Sequence, residues 1–280
     1  MAAIMRPVIG LLTDFGMRDH YVGAVKGSIL SVCREASLVD VVHELPAHDV
    51  EAGAYALMAS YRAFPEGTIF LAVVDPGVGS ERRGIVVDTG AYRFVAPDNG
   101  ILSFVLAESP GARAHQITNG SLFRLDISST FHARDIFGPV AGHLASGVPL
   151  AEVGPPIADP VLLPMASSRQ LGPGEWLGAV LHVDIFGNLT TSFTSADLDR
   201  ILVTVDGDPT EIVVVVEGMV IPMVQAYAEV AEGELLGLLG SSGRLEVGVN
   251  CGSAASILGA RRSTPVRVRQ VPAREMSPMV

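Results

Sequence analysis

Hydrophobic and polar positions along the first half of the chain alternate in blocks. Residues 8–13 are a short apolar run that stops at Asp14-Phe15-Gly16, which reads as a buried strand ending in a turn. Over residues 21–33 the spacing becomes helical, with Val22, Val25, Ile29 and Val32 near one face. Residues 37–45 read as a second strand, and 49–64 as an Ala-rich helix with Asp49 as its N-cap and Pro65 as its stop. Residues 69–74 are apolar throughout, without Gly or Pro, and form a buried strand that ends at Asp75. Residues 84–88 and 92–96 pair across Thr89-Gly90-Ala91, and Pro97-Asp98-Asn99-Gly100 opens a helix running to Ala107. A further helix over 137–146 is ended by Gly147 and Pro149. This order predicts an α/β domain over residues 1–153, a largely parallel sheet covered by helices.

The pattern changes after residue 153. Residues 154–174 carry Pro155, Pro156, Pro160, Pro164 and Pro173 with little periodicity, and read as a linker. Within 175–280, short β-rich runs at 176–183, 201–205, 211–216, 235–239, 245–249 and 266–271 are separated by Gly, Asp-Gly or Ser-Ser-Gly turns. That spacing predicts a small antiparallel barrel or sandwich.

Composition narrows the class. With 280 residues, 49% hydrophobic, and a mean hydropathy of +0.41, the chain can bury a sizeable core in two domains. Its longest stretch free of Asp, Glu, Lys and Arg, 136–151, contains Pro139, Pro149, His143 and glycines, so no membrane span is expected. Lys plus Arg number 19 against 30 Asp plus Glu, a net charge of −11, which argues against nucleic acid or anionic membrane as partner. Cys33 and Cys251 have no CxxC or Cys/His spacing, so neither a disulfide framework nor a zinc site is expected and a reducing cytoplasm fits. The residues before Asp14 lack the long apolar run of a signal peptide.

The strand at 69–74 delivers Asp75 to its C-terminal edge, where open α/β sheets bind ligands. Pro76-Gly77 forces a turn, Gly79 permits a positive φ or a close approach, and Ser80-Glu81-Arg82-Arg83 brings two guanidinium groups back toward the carboxylate. Alone, such a motif is a surface turn with a solvated salt bridge. A second polar cluster, Thr130-Phe131-His132-Ala133-Arg134-Asp135, also lies between apolar segments and offers it partners. Other motifs carry less. Asp14-Phe15-Gly16 lacks every other kinase element, Gly77-Val78-Gly79-Ser80 lacks the Walker spacing and its Lys, and His43 and His48 complete no metal ligand set.

Taken together, Leu12-Thr13-Asp14-Phe15-Gly16 with Asp19, Tyr21 and Gly23, then DPGVGSERR, PDNG, STFHARDIFGP, DIFGN and SSGRLEVGVNCGSAA, resemble the S-adenosyl-L-methionine hydroxide adenosyltransferase family, relatives of the nucleophilic fluorinase and chlorinase. The resemblance implies conversion of S-adenosylmethionine and water to adenosine and L-methionine, without a further cofactor, and with adenosine able to co-purify. It also implies a homotrimer with active sites at subunit interfaces. By the same likeness Asp75, Arg82 and His132 activate the water; which of Asp75 and His132 takes its proton is open at this point. Asp14 would bind the ribose hydroxyls, Asp19 and Asp184 would face the methionine ammonium, and Tyr21 would be a further substrate-binding residue. Ser241 and Ser242 would lie near the methionine carboxylate. Phe186, Asn188, Val249 and Asn250 would recognise adenine. From the residues alone, Asp14 and Asp184 are equally turn caps and Asn188 a hairpin residue. Halogenating relatives lack an acidic residue where Asp75 stands, so halide transfer is the weaker alternative. A non-catalytic S-adenosylmethionine or adenosine sensor and a nucleoside phosphorylase are the others; no Gly-rich phosphate loop supports the last.

Overall fold

The computed structural model describes residues 6–202 and 210–272. It divides into two compact units, Met1–Pro164 and Met165–Val280.

In the first unit, strands β1 (Val8–Thr13), β2 (Ser37–Val42), β3 (Ile69–Val73), β4 (Gly84–Asp88), β5 (Arg93–Pro97), β6 (Arg113–Gln116) and β7 (Pro156–Ile157) form one sheet in the order β2-β1-β3-β5-β4-β6-β7. From β2 through β1 and β3 to β5 the pairing is parallel, and β4, β6 and β7 extend it antiparallel. Helices α1 (Tyr21–Val32), α2 (Val50–Ser60), α3 (Ser103–Glu108) and α4 (Gly138–Ala145) cover it. Successive strand residues point to opposite faces, so β3 feeds two cores. Ile69, Leu71 and Val73 pack with Val25 and Ile29 of α1 and Val140 and Leu144 of α4. Phe70, Ala72 and Val74 pack with Leu57 of α2 and Val105 of α3. Burial on both faces explains the unbroken apolar run.

Asp49 caps α2 as expected, accepting from the Ala52 N–H at 2.9 Å. The helix expected from residue 137 begins earlier, because a π-helical turn at Ala133–Phe137 follows His132 and leads into α4. Gly138 lets α4 press on α1, since a Cβ there would collide with the Ser28 hydroxyl.

In the second unit, β8 (Arg169–Gly172), β9 (Glu175–Val183), β10 (Leu189–Thr194), β11 (Thr210–Val216), β12 (Met219–Pro222), β13 (Leu235–Leu239), β14 (Arg244–Val249) and β15 (Pro265–Pro272) pair antiparallel. The order β12-β11-β15-β9-β10-β14-β13, with β8 on β9, nearly closes into a barrel through a bridge between Met223 and Gly237. Helices α5 (Ser195–Ile201) and α6 (Ala254–Leu258) complete it. The run expected as a strand over 201–205 starts at the end of α5, whose Thr194–Asp197 capping box opens a helix there; residues 203–205 lie outside the described residues. The proline-rich segment 154–174 contributes β7 to the first sheet and β8 to the second. Among the described residues, no helix is long and apolar enough to cross a membrane.

Candidate active site

At the C-terminal end of β3 the chain is tied down before it turns, because the Asn99 side-chain amide donates to the Val74 carbonyl at 2.8 Å. The Pro76-Gly77 turn closes through Val78 N–H to the Asp75 carbonyl at 3.2 Å and Ser80 Oγ to the Gly77 carbonyl at 2.7 Å. Arg82 is thereby folded back onto Asp75. Its Nε donates to Oδ1 at 2.8 Å and its Nη2 to Oδ2, a bidentate pair whose side chains are 12% and 5% exposed. The guanidinium also lies over the Phe137 ring, 5.1 Å from its centroid.

The same Nη2 is 3.0 Å from His132 Nδ1. A guanidinium only donates, so Nδ1 accepts and the neutral ring carries its proton on Nε2. Burial, and then the neighbouring Arg82 charge, push the His132 pKa below the ordinary histidine value, against a smaller pull from Asp75 and Asp135. Arg83, expected beside Asp75, instead turns away: its Nε donates to Asp98 at 2.8 Å and its Nη1 to Asp159 at 2.9 Å.

The loop carrying His132 is anchored by Asp135, which is fully buried. Asp135 accepts from Arg134 Nε at 2.6 Å, Arg134 Nη2 at 2.8 Å and the Ser128 N–H at 2.9 Å. Burial alone would raise its pKa, but these bonds and the Arg134 and Arg124 charges hold it below the usual carboxylate value.

Asp75 and His132 face a cavity of about 320 Å³ whose walls also include Asp14, Phe15, Tyr21 and His48. Asp14, at the end of β1, accepts from the His48 backbone N–H at 2.8 Å, and His48 adopts a left-handed φ of 66° to present it. Phe131 packs edge-on against Tyr21 and Phe15, with centroids 5.2 and 6.0 Å away. Asp19 is exposed and does not line this cavity. The sequence pattern does not mark His48 or Phe15 as site residues. The available signal was His48 standing directly before the α2 N-cap, on the strand-end side where ligands bind. A second cavity, of about 230 Å³, is lined by Arg82 and His132.

In the second unit Phe186, Asn188, Val249 and Asn250 line one cavity of about 460 Å³, joined by Tyr227 and Cys251, which sequence reasoning did not pick out. Phe186 is 69% exposed at the tip of its turn. Asp184 is committed to that turn: it accepts from the Phe186 N–H at 2.9 Å, the Asn188 N–H at 2.8 Å and Asn188 Nδ2 at 3.0 Å. The Asn250 side-chain amide donates to the Val230 carbonyl at 2.8 Å. Ser241 and Ser242 sit in the turn joining β13 and β14, beyond the Leu239–Leu245 pair, whereas Val249 pairs with Leu235 at the other end of that hairpin. The two serines therefore stand apart from the Phe186 cavity.

Residues 9–154 match the SAM hydroxide adenosyltransferase N-terminal domain, and residues 178–267 match the C-terminal domain of the same family. Over 276 residues the chain is 38% identical to the (R)-S-adenosyl-L-methionine hydrolase of Thermus thermophilus, an alignment covering 94% of this chain and 100% of that protein. It is 28% identical over 294 residues to a fluorinase of Nocardia brasiliensis, covering 94% and 97%. The crystal structure of an uncharacterized conserved protein from Thermotoga maritima superposes with a TM-score of 0.86 at 36% identity, covering 93% of this chain and 99% of that one.

Proposed function

The chain belongs to the SAM hydroxide adenosyltransferase family, and from that premise we propose that it hydrolyses S-adenosyl-L-methionine to adenosine and L-methionine by attack of water at C5′ of the ribose. The observation that carries this reading is the Asp75–Arg82–His132 group, two of whose members face the same cavity as Asp14.

The sulfonium leaves C5′ as a neutral thioether and needs no acid. The task left to the protein is to hold one water in line with the breaking C–S bond and take its proton as it attacks. His132 Nδ1 is occupied by Arg82, so the ring serves as a donor at Nε2 and orients the water oxygen. The proton then goes to Asp75, whose oxygens each keep a lone pair after the bidentate contact with Arg82. Arg82 stabilises the hydroxide character that develops, in a site shielded enough for its charge to count. The proton is released to solvent with the products, which balances the reaction.

Asp14 accepts hydrogen bonds from the ribose hydroxyls. Tyr21 lines the substrate cavity, Asp19 is assigned to the methionine ammonium, and Ser241 or Ser242 to its carboxylate. The commitment of Asp184 to its own turn makes it a support for Phe186 and Asn188, which hold adenine together with Val249 and Asn250. We extend the reading to a cytoplasmic homotrimer in which the second unit of one copy supplies these adenine contacts to the first unit of another. The exposed Ile185 and Phe186, 93% and 69% accessible, support it as apolar side chains awaiting a partner. The Thermus relative's name specifies the (R) sulfonium epimer, and the same epimer is proposed as substrate here. A carboxylate facing the nucleophile position repels halide, which disfavours the fluorinase activity.

Chromatography of the purified protein incubated with S-adenosylmethionine, in halide-free buffer and again with chloride, tests the proposal. Adenosine and methionine in both are expected. A 5′-chloro product would favour halide transfer, and tightly bound ligand without turnover would favour the sensor.

A further inference from the structure

Behind the Asp14 turn runs a chain of polar side chains that the hydrolysis mechanism leaves unused. Thr13 and His43 are 1% and 4% exposed, yet both are polar. His43 Nε2 is 3.0 Å from Asp40 Oδ1, and a carboxylate only accepts, so Nε2 carries the proton it donates. His43 Nδ1, 2.8 Å from Thr13 Oγ1, then accepts from the Thr13 hydroxyl. Thr13 Oγ1 in turn accepts from the Phe15 N–H at 3.3 Å. At the far end Lys26 Nζ on α1 donates to Asp40 Oδ2 at 2.7 Å. Burial of Asp40 would raise its pKa, but the Lys26 and His43 bonds and charges hold it below the usual carboxylate value, so the chain ends in an ionised acceptor.

Every donor in this chain has one acceptor, and the donor sense runs a single way from Phe15 to Asp40. Thr13 and His43 are buried while Asp40 and Lys26 at the far end reach solvent, and the buried links restrain the backbone they touch. Here that backbone is the turn that aims Asp14. The His43–His48 segment grips the same turn at three further points: the His43 carbonyl accepts from the Gly16 N–H at 2.8 Å, the Glu44 carboxylate from the Met17 N–H at 2.9 Å, and the His48 N–H donates to Asp14 Oδ2 at 2.8 Å.

We propose that Thr13, His43, Asp40 and Lys26 form a positioning relay that presets the Asp14 carboxylate for the ribose hydroxyls of a nucleoside ligand. The inference rests on the ribose role given to Asp14 above. None of the four touches the reacting atoms; they act through Asp14, so their effect belongs in ligand binding and not in the chemical step. A hydrogen bond to a charged group such as the Asp14 carboxylate contributes about tenfold or more to binding, so weakening it through loss of one link has a measurable effect.

The test is a set of Thr13 and Lys26 variants measured for S-adenosylmethionine turnover and, by calorimetric titration, for adenosine affinity. Thr13→Val keeps the shape and removes the hydroxyl. The expected result is a rise of about tenfold in both KM and adenosine Kd with kcat within about threefold, the signature of lost binding common to ground and transition states. Thr13→Ser restores both, and Lys26→Met, at the solvent end of the relay, gives a smaller rise without disturbing the core. In an Asp14→Asn background Thr13→Val adds nothing, because the relay has no other target. Unchanged KM and adenosine Kd in Thr13→Val, failure of Thr13→Ser to restore them, or a full penalty in the Asp14→Asn background would each overturn the relay. Wild-type protein that neither turns over S-adenosylmethionine nor binds adenosine would instead overturn the proposed function.

Discussion

Gly79 and Ser129 meet where no side chain fits: with φ at 79°, a Cβ on Gly79 would overlap the Ser129 carbonyl oxygen. Fifty residues apart in sequence, this contact joins the turn after β3 to the loop entering His132. It is the approach that lets Arg82, held by Asp75, reach His132 Nδ1.

Gly79→Ala therefore separates the two halves of the group. A left-handed backbone at alanine costs about 1–2 kcal/mol, and the overlap adds displacement of the 129–132 loop. Activity should fall by more than about tenfold through the lost geometry, together with a lowered melting temperature, measurable by steady-state kinetics and thermal unfolding. Wild-type activity would show that the loop's seat on Gly79 is not what places His132.

Asp75→Asn keeps the size of the side chain and removes the base. Hydrolysis should drop by about 10²–10⁴-fold, the range for loss of general-base catalysis, while adenosine affinity stays near wild type because the ribose and adenine contacts proposed above are made by other residues. Arg82→Lys should also lose most activity, since an ammonium cannot hold both carboxylate oxygens and His132 in one plane. Product chromatography and adenosine titration check both, and a fully active Asp75→Asn would remove Asp75 from the mechanism.

Much of this was legible in the chain because local chemistry and tertiary role coincide. β3 is apolar on both faces because it is buried on both, Asp49 is a cap because its carboxylate meets the Ala52 N–H, and the DPGVG turn needs its glycine at a positive φ. The misses have physical causes. Leu189–Thr194 is a central barrel strand, but Thr190, Thr191 and Ser192 are buried polar residues, so neither hydropathy nor alternation marks it. Arg83 is next to Arg82, and sequence cannot foresee that Asp98 and Asp159 draw it away. Asp184 satisfies its own turn, a competition between local capping and ligand binding that residue type alone leaves open. His48 enters the cavity wall through its backbone conformation, which no side-chain pattern encodes.

The pH dependence follows from His132. In the proposed mechanism its ring works neutral, with Nδ1 accepting from Arg82; protonation removes the acceptor and sets two cations side by side. Because burial and Arg82 place its folded pKa below the ordinary value, kcat/KM should hold through about pH 6.5 and fall only at more acid pH. Stability runs the same way. The folded state binds the proton less readily than the unfolded one, so this contribution is present above the unfolded value and is lost as pH falls through the folded one. A pH–rate profile with its acid limb at or above the ordinary histidine value would contradict this account.

Phe186 and Asp184 should separate binding from stability. Phe186→Ala removes a ring exposed within its own unit and should leave the folding of that unit, whose turn Asp184 holds, little changed while weakening adenosine binding about fivefold or more, since base–aromatic stacking is worth about 1–3 kcal/mol. Asp184→Ala should instead unfix the turn, because three donors lose their acceptor; a lower melting temperature accompanies its weaker binding. Unaltered adenosine affinity in Phe186→Ala would remove that residue from the adenine site.

The most direct test of water attack at C5′ is a single-turnover reaction with S-adenosylmethionine in ¹⁸O-enriched water, with the adenosine analysed by mass spectrometry. The account predicts one ¹⁸O in adenosine, at the 5′ oxygen, and none in methionine. Unlabelled adenosine, or products in which the C5′–S bond survives, would contradict it.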